Sequence, residues 1–273
     1  MSHVSNAPRT ALITGASGGI GSVYADRLAR RGYDLVLVAR QEAPLRAVAD
    51  RVAAASGRNV TIVVADLGDA SDLHRVEALL RDAPRIGMLV NNAGFGGVTS
   101  LAKSDVDRME AMIAVNVTAL TRLTYAAAPA FLARGGGTIV NIASIAALAP
   151  ELLNGVYGAT KAYVLAFTQS LQHELGNQGL RIQAVLPGAT ATAFWGTAGL
   201  GDSSDLPSAI VMTAENLVDA ALAGLDSGEV VTIPPLQDGT EWTRYEAQRV
   251  AMAPHLGHAQ PAPRYSLPRP EAA

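Results

Sequence analysis

Short apolar runs recur along most of the chain: Thr10–Ile13, Leu35–Ala39, Val60–Ala65, Met88–Val90, Thr138–Ile142, Ile182–Leu186 and Val230–Ile233, the last preceded by Glu229. Their hydrophobicity is continuous rather than alternating, which is how strands covered on both faces of a parallel sheet read. Between them the apolar positions switch to helical spacing. Ile20, Val23, Tyr24 and Leu28 predict a helix ended by Gly32, and Leu45, Val48, Val52 and Ala55 predict one stopped at Gly57. Leu73, Val76, Leu79 and Leu80 repeat the pattern after Ser71. A longer helix over Val106–Ala133 carries Met109, Met112, Ile113, Leu120, Leu123 and Phe131, and Ser104-x-x-Asp107 reads as the capping box that opens it. Strand–helix alternation of this kind predicts an α/β fold: a doubly wound three-layer sandwich with a seven-stranded parallel sheet.

No linker, repeat or low-complexity tract breaks the pattern before residue 233. There the composition shifts, and seven of the fourteen prolines lie in the last 40 residues. Residues 1–233 are therefore expected to form a single domain. Residues 234–273 form a Pro-rich extension packed on it or trailing from it, with one short helix around Glu241–Met252. Trp242, Tyr245 and Tyr265 give that extension something to bury.

Composition narrows the function classes. Of 273 residues, 49% are hydrophobic and 16% charged, against about 25% charged in ordinary domains, so burial is extensive and is compatible with a subunit interface. A net charge of −3 gives no electrostatic basis for a nucleic-acid or anionic-membrane partner. The absence of cysteine removes disulfides, thiolate zinc sites and cysteine nucleophiles. Met1–Pro8 has no basic patch followed by an apolar stretch, and no apolar run approaches the ~20 residues of a membrane span. A cytoplasmic location is expected.

The turn Thr14-Gly15-Ala16-Ser17-Gly18-Gly19-Ile20-Gly21 joins the first strand to the first helix. Glycines let backbone N–H donors approach a phosphate, and a helix N-terminus adds partial positive charge, so this context points to a dinucleotide. Gly15-Ala16-Ser17-Gly18-Gly19 also matches the G-x-S-x-G nucleophile elbow, but only one strand precedes it and no histidine has a supporting pattern. The second strand ends Leu37-Val38-Ala39-Arg40, with no carboxylate to grip the adenosine ribose. Arg40 suits a 2′-phosphate, which predicts NADP(H) in preference to NAD(H); a solvated arginine at a strand end is the other reading. Further on, Tyr157 and Lys161 stand four apart, one above the other on a helix, with Ser144 thirteen residues before Tyr157. A neighbouring ammonium in a partly desolvated cleft would lower the phenol from its ordinary pKa near 10. A surface Tyr–Lys pair is the bland alternative.

Together these motifs resemble the short-chain dehydrogenase/reductase family, in its classical branch, over about residues 8–233. Thr14–Gly21 is similar to the T-G-x-x-x-G-x-G turn, Asp66-Leu67 to the adenine-contacting position and Asn91-Asn92-Ala93-Gly94 to the motif closing the fourth strand. Asn116 falls where the family has its catalytic asparagine, and Pro187-Gly188 with Thr192 follows the sixth strand. The resemblance implies a Rossmann-type fold and a hydride-transfer site. In it Tyr157 exchanges the proton, Lys161 lowers its pKa and holds the nicotinamide ribose, Ser144 binds the substrate oxygen, and Asn116 supports a proton relay. It implies a cofactor site of Gly15, Ser17, Gly19, Ile20, Gly21, Arg40, Asp66, Leu67, Asn92, Gly94, Tyr157, Lys161, Pro187, Gly188 and Thr192, with no metal. The loop Ile145–Val156 and a substrate loop over about residues 189–212 would wall the pocket. Leu148, Leu152, Leu153, Phe194, Trp195 and Leu200 make that wall apolar, suiting a ketone, aldehyde or acyl-type substrate. Family members are commonly homodimers or homotetramers. Two other readings remain open: a non-catalytic NADP-binding protein, and an epimerase-like enzyme of the extended branch, whose T-G-x-x-G-x-x-G turn Thr14–Gly21 also satisfies.

Overall fold

Continuous apolar runs flanked by amphipathic helices fold here as that pattern predicts. In the computed structural model, which describes residues 9–199, 201 and 203–265, seven parallel strands form one sheet. They are β1 (Thr10–Thr14), β2 (Asp34–Ala39), β3 (Val60–Val64), β4 (Ile86–Asn91), β5 (Gly137–Ile142), β6 (Leu180–Val185) and β7 (Val231–Thr232), in the order β3-β2-β1-β4-β5-β6-β7. The helices are α1 (Gly19–Arg30), α2 (Glu42–Ser56), α3 (Ala70–Asp82), α4 (Val106–Ile113), α5 (Leu120–Ala133), α6 (Gly155–Leu175), α7 (Phe194–Ala198), α8 (Ala214–Asp226) and α9 (Gly239–Met252).

The sheet is covered on both sides, which is why its strands read as unbroken apolar runs. One core joins Ile13, Leu37 and Val90 to Tyr24 and Leu28 of α1, Leu45 of α2 and Leu217 and Leu222 of α8. The opposite core joins Leu12, Leu89 and Ile139 to Leu73 and Leu80 of α3, Leu123 and Phe131 of α5 and Leu171 of α6. Strand order reverses between β1 and β4, and a crevice outside the carboxyl ends of strands at such a switch point is where doubly wound sheets take ligands.

Two local expectations are corrected. The capping box does not form: α4 is capped by Asp105, whose carboxylate accepts from the Asp107 N–H at 3.0 Å, while the Ser104 hydroxyl donates to the Thr99 and Ser100 carbonyls. The long helix is also not uniform, because a π-helical segment, Ala114–Ala119, separates α4 from α5. Contrary to the reading of the apolar runs, Val106–Ala133 as a whole is long and apolar enough to cross a membrane; half of its most apolar window is nevertheless buried within the fold.

The chain divides into two compact units, residues 1–235 and 236–273. In the second, α9 begins two residues earlier than expected, capped by Asp238, which accepts from the Thr240 N–H at 2.9 Å. Its Trp242 and Tyr245 rings stack on each other, and no residue of α9 is fully buried.

Candidate active site

The glycine turn is shaped by close approach. Gly15 and Gly19 have φ of +65° and +51°, a region that favours glycine. A Cβ on Gly21 would lie 2.4 Å from the Gly15 carbonyl oxygen, and one on Gly15 would lie 2.8 Å from the Asn92 amide nitrogen. The turn is laced to the end of β4. The Thr14 hydroxyl accepts from the Asn92 and Ala93 N–H groups, and the Asn92 side chain donates to the Thr14 and Gly15 carbonyls at 2.9 and 3.0 Å. Asn92 therefore holds the backbone of the turn. The N-terminus of α1 is left without a side-chain cap and without an acidic residue in its first turn. Nothing lies within 4 Å of where a Gly18 Cβ would sit. Uncapped donors, positive helix end and open space fit the pyrophosphate of a dinucleotide. Ser17 and Ile20 line the same turn, and among the described residues no hydrogen bond joins Ser17 to a histidine, as an elbow would require.

Beyond β2, Arg40 is exposed and has no side-chain hydrogen bond or ion pair with a described residue. After β3, the Asp66 carboxylate accepts from the Gly68 N–H, its own N–H donates to Asp72, and Leu67 is buried.

Gly94 sits between two candidate catalytic groups, since a Cβ there would lie 2.8 Å from Asn116 Oδ1 and 3.7 Å from Lys161 Nζ. The π-helical segment brings Asn116 to this point. Its amide accepts from the Phe95 N–H at 3.1 Å and donates to the Phe95 carbonyl at 2.9 Å and to the Thr160 hydroxyl at 3.2 Å. Such one-turn insertions occur frequently at functional sites.

Tyr157 and Lys161 follow the N-cap of α6, Asn154, whose side chain accepts from the Val156 N–H and donates to the Thr99 carbonyl. Both catalytic candidates are buried. Ser144 stands near the Tyr157 phenol, whose pKa it pulls down, and its hydroxyl accepts from the Ala146 N–H at 3.1 Å. Lys161 Nζ donates to the Ile142 carbonyl at 2.9 Å and lies 5.7 Å from the centre of the Tyr157 ring. The expected lowering of the phenol is not what the chain itself produces. Burial pushes Tyr157 up to about 12, against the smaller opposing effect of Ser144. Burial also brings Lys161 down to about 8, so it carries a full charge less readily than an exposed lysine.

The loop after β6 crosses the mouth of this crevice. The Pro187 carbonyl accepts from the Ile145 N–H, and the Thr190 hydroxyl donates to the Gly188 carbonyl. The loop base is tied by Ala191 N–H to Met212 O and Met212 N–H to Ala189 O, both at 2.9 Å. A Cβ on Gly19 would lie 3.1 Å from the Thr192 methyl, so Thr192 stands over the glycine turn. Phe194 packs on Tyr157 with ring centres 5.6 Å apart, and Trp195 meets Phe194 edge-on while its indole N–H donates to the Thr190 carbonyl at 2.8 Å. Leu153, Phe95, Met109, Met112 and Ala146 complete an apolar wall around Tyr157. Leu148 and Leu152 are exposed and stand outside that cluster, and Leu200 lies outside the described residues. Phe95 and Asn154 were not singled out from sequence; an asparagine just before a helix that starts at Gly155 is an N-cap signal that points to the latter.

Comparison with known proteins agrees with this geometry. A family model described as short chain dehydrogenase matches residues 9–201. An uncharacterized oxidoreductase of Staphylococcus epidermidis is 30% identical over 82% of this chain and 94% of its own length. The solved structure of a short-chain dehydrogenase from Sphingobium yanoikuyae in complex with NADPH has a TM-score of 0.90 and 48% identity, covering 94% of this chain and all of that one. A bulky-bulky ketone specific alcohol dehydrogenase from Comamonas testosteroni has a TM-score of 0.86 and 42% identity, covering 94% of this chain and 98% of that one. Both solved-structure matches extend further along the chain than residues 1–235 alone could supply.

Proposed function

The chain belongs to the short-chain dehydrogenase family, and from that premise we propose that it is an NADP(H)-dependent oxidoreductase acting on an apolar ketone, or the matching secondary alcohol, with bulky groups on both sides of the carbonyl. The observation that carries the reading is the convergence of Ser144, Tyr157 and Lys161 beside an uncapped helix N-terminus at the sheet's switch point. The bulky-ketone part draws support from the relative in Comamonas testosteroni and from the apolar wall around Tyr157.

Gly15, Ser17, Gly19, Ile20 and Gly21 would hold the pyrophosphate against α1, with Asp66 and Leu67 at the adenine and Arg40 at the 2′-phosphate. Gly94, Lys161, Pro187, Gly188 and Thr192 would hold the nicotinamide end, with Asn92 keeping the turn closed by its bonds to the Thr14 and Gly15 carbonyls. The cofactor supplies hydride when bound. Tyr157 donates its phenolic proton to the carbonyl oxygen in reduction and accepts the hydroxyl proton in oxidation. Ser144 donates a hydrogen bond to that same oxygen as charge builds on it. Lys161, anchored on the Ile142 carbonyl, places a cation beside the phenol, and Asn116 braces the Phe95 backbone at the pocket floor while offering its amide to a relay of protons.

The test is a spectrophotometric panel of carbonyls and alcohols with both nicotinamide cofactors, repeated with Tyr157→Phe. Turnover of aryl or branched ketones with NADPH, lost by at least about 10³-fold in the variant, is the expected result. Unchanged carbonyl-dependent NADPH oxidation by Tyr157→Phe would overturn the assignment, as would turnover confined to charged or sugar substrates. We also infer a homodimer or homotetramer. Exposed Tyr125 on α5 and Tyr163 on α6 both stack on Phe167, leaving an aromatic face that association would cover. Light scattering showing a monomer would refute that inference.

A further inference from the structure

The Phe194 ring is seated in a notch that exists only because residue 96 is glycine. A Cβ on Gly96 would lie 2.4 Å from Phe194 Cζ, 2.9 Å from its Cε2 and 3.3 Å from Tyr157 Cδ2. Contacts under 3 Å are not tolerated, so any side chain at 96 must drive the ring out. Besides Trp195, which meets it edge-on, the ring has the Tyr157 ring as a neighbour, tilted by 51° at 5.6 Å, so Phe194 occupies space directly beside the proton-transferring phenol. Its backbone, in contrast, is fixed. Trp195 is bound to Thr190, Arg108 of α4 donates to the Thr197 carbonyl, and the Val98 N–H donates to the Ala198 carbonyl at 3.3 Å. With α7 held at both ends, the freedom left at this position is rotation of the phenylalanine side chain. The apolar cluster it packs against includes Met109 and Met112, unbranched side chains of the kind that adapt to such movement.

We propose that Phe194, seated in the Gly96 notch, is the specificity-determining residue that sets how large a substituent is accepted on one side of the substrate carbonyl. The proposal rests on the ketone reading above. A carbonyl oxygen bonded to Tyr157 and Ser144 brings one of its two substituents against the Phe194 ring. Seated deeply, the ring leaves that side roomy; displaced toward the pocket, it closes it. The wider consequence is that Gly96, which touches no substrate, controls substrate size through the position of a second side chain.

The experiment uses the full chain with NADPH and a series of phenyl ketones whose second substituent grows from methyl through propyl to phenyl. Phe194→Ala is expected to raise kcat/KM for the largest member relative to the smallest by about 10-fold or more, with the change mainly in KM, the range a pocket gains from added volume. Gly96→Ala is expected to lower the same ratio by a similar factor. In the double variant the Gly96→Ala effect should vanish, because no ring remains to be displaced; residues that act through contact are non-additive in this way. Phe194→Leu, with NADPH binding followed by cofactor fluorescence, separates a size effect from a folding defect. A wild-type enzyme that reduces no member of the series defeats the ketone reading and this inference with it. One that reduces the series with a size ratio unmoved by Phe194→Ala and Phe194→Leu, or with additive effects of the two sites, defeats this inference alone.

Discussion

Lys161 Nζ lies 5.7 Å from the centre of the Tyr157 ring yet directs its hydrogen bond to the Ile142 carbonyl. The lysine and the phenol are thus neighbours without being an ion pair, and burial governs both. Because burial holds Tyr157 up at about 12, the cofactor-free protein should show no Tyr157 phenolate at pH 7–9. The difference in absorbance near 295 nm between wild type and Tyr157→Phe checks this across a pH titration. A phenolate signal assigned to Tyr157 below pH 9 would show that Lys161 alone suffices. Its absence means that any lowering during turnover comes from a group the chain does not itself supply.

The same burial makes Lys161 a cost to the fold. Bringing its ammonium down to about 8 from the ordinary lysine value disfavours the folded state by roughly 3 kcal/mol at neutral pH. Between pH 8 and about 10.4 the unfolded chain holds a proton that the folded chain has released, so stability from this group rises with pH through that window. Lys161→Met is therefore expected to be inactive but more stable at pH 7, by roughly 1–2 kcal/mol after the lost bond to Ile142 is deducted. Its advantage should shrink toward pH 10. Urea midpoints at pH 7 and 9.5 measure both; a variant less stable at pH 7, or a gap that does not narrow, contradicts the account.

Arg40 stands exposed where the second strand ends, free of partners among the described residues, and no carboxylate lies beside it in the chain. Arg40→Ala should lower kcat/KM with NADPH by about 10–100-fold, the worth of one charge-assisted phosphate contact, and leave NADH nearly unchanged. Equal losses with both cofactors would mean that Arg40 does not meet a 2′-phosphate.

The strands and the Tyr157–Lys161 pair were legible because both obey local rules. A sheet covered on two faces leaves unbroken apolar runs, and an i, i+4 pair on a helix needs no tertiary knowledge. What was illegible depends on geometry that local pattern does not encode. The apolar period of Val106–Ala133 reads the same with or without a π-helical turn, yet that turn presents Asn116 to Phe95. Asp105 caps α4 instead of Ser104 because the Ser104 hydroxyl is already bonded to the Thr99 and Ser100 carbonyls. The pKa of Tyr157 follows its burial, which no spacing announces. Phe194 was recognisable as an apolar loop residue, but its seat depends on a glycine nearly a hundred positions earlier.

Tyr24 of α1 is wholly buried, and its hydroxyl has no hydrogen-bond partner among the described residues. Burial raises its pKa well beyond the ordinary phenol value. A desolvated hydroxyl without a partner is a penalty of about 1–3 kcal/mol. Tyr24→Phe should consequently be at least as stable as the parent and gain up to about 2 kcal/mol, with activity intact. A loss of more than about 1 kcal/mol in urea unfolding would reveal a partner, such as a buried water, that the hydroxyl depends on.

Gly18 and Gly21 belong to the same turn but answer different demands, and this separates the two glycine patterns that Thr14–Gly21 satisfies. A Cβ at 21 would meet the Gly15 carbonyl oxygen at 2.4 Å, a backbone atom that cannot swing aside, so Gly21→Ala must deform the turn. A Cβ at 18 meets nothing within 4 Å, and φ there is −179°, extended backbone that any residue adopts. The pattern T-G-x-x-x-G-x-G leaves position 18 free, whereas T-G-x-x-G-x-x-G requires it. Gly18→Ala is therefore expected to keep the melting temperature of wild type and an NADPH affinity within about 2-fold of it. Gly21→Ala should lose about 2 kcal/mol of stability or more and bind NADPH at least about 10-fold more weakly. Calorimetric titration of the two variants decides the matter: if Gly18→Ala is the one that fails, the phosphate cradle is built on the extended pattern, and the classical assignment of the turn is wrong.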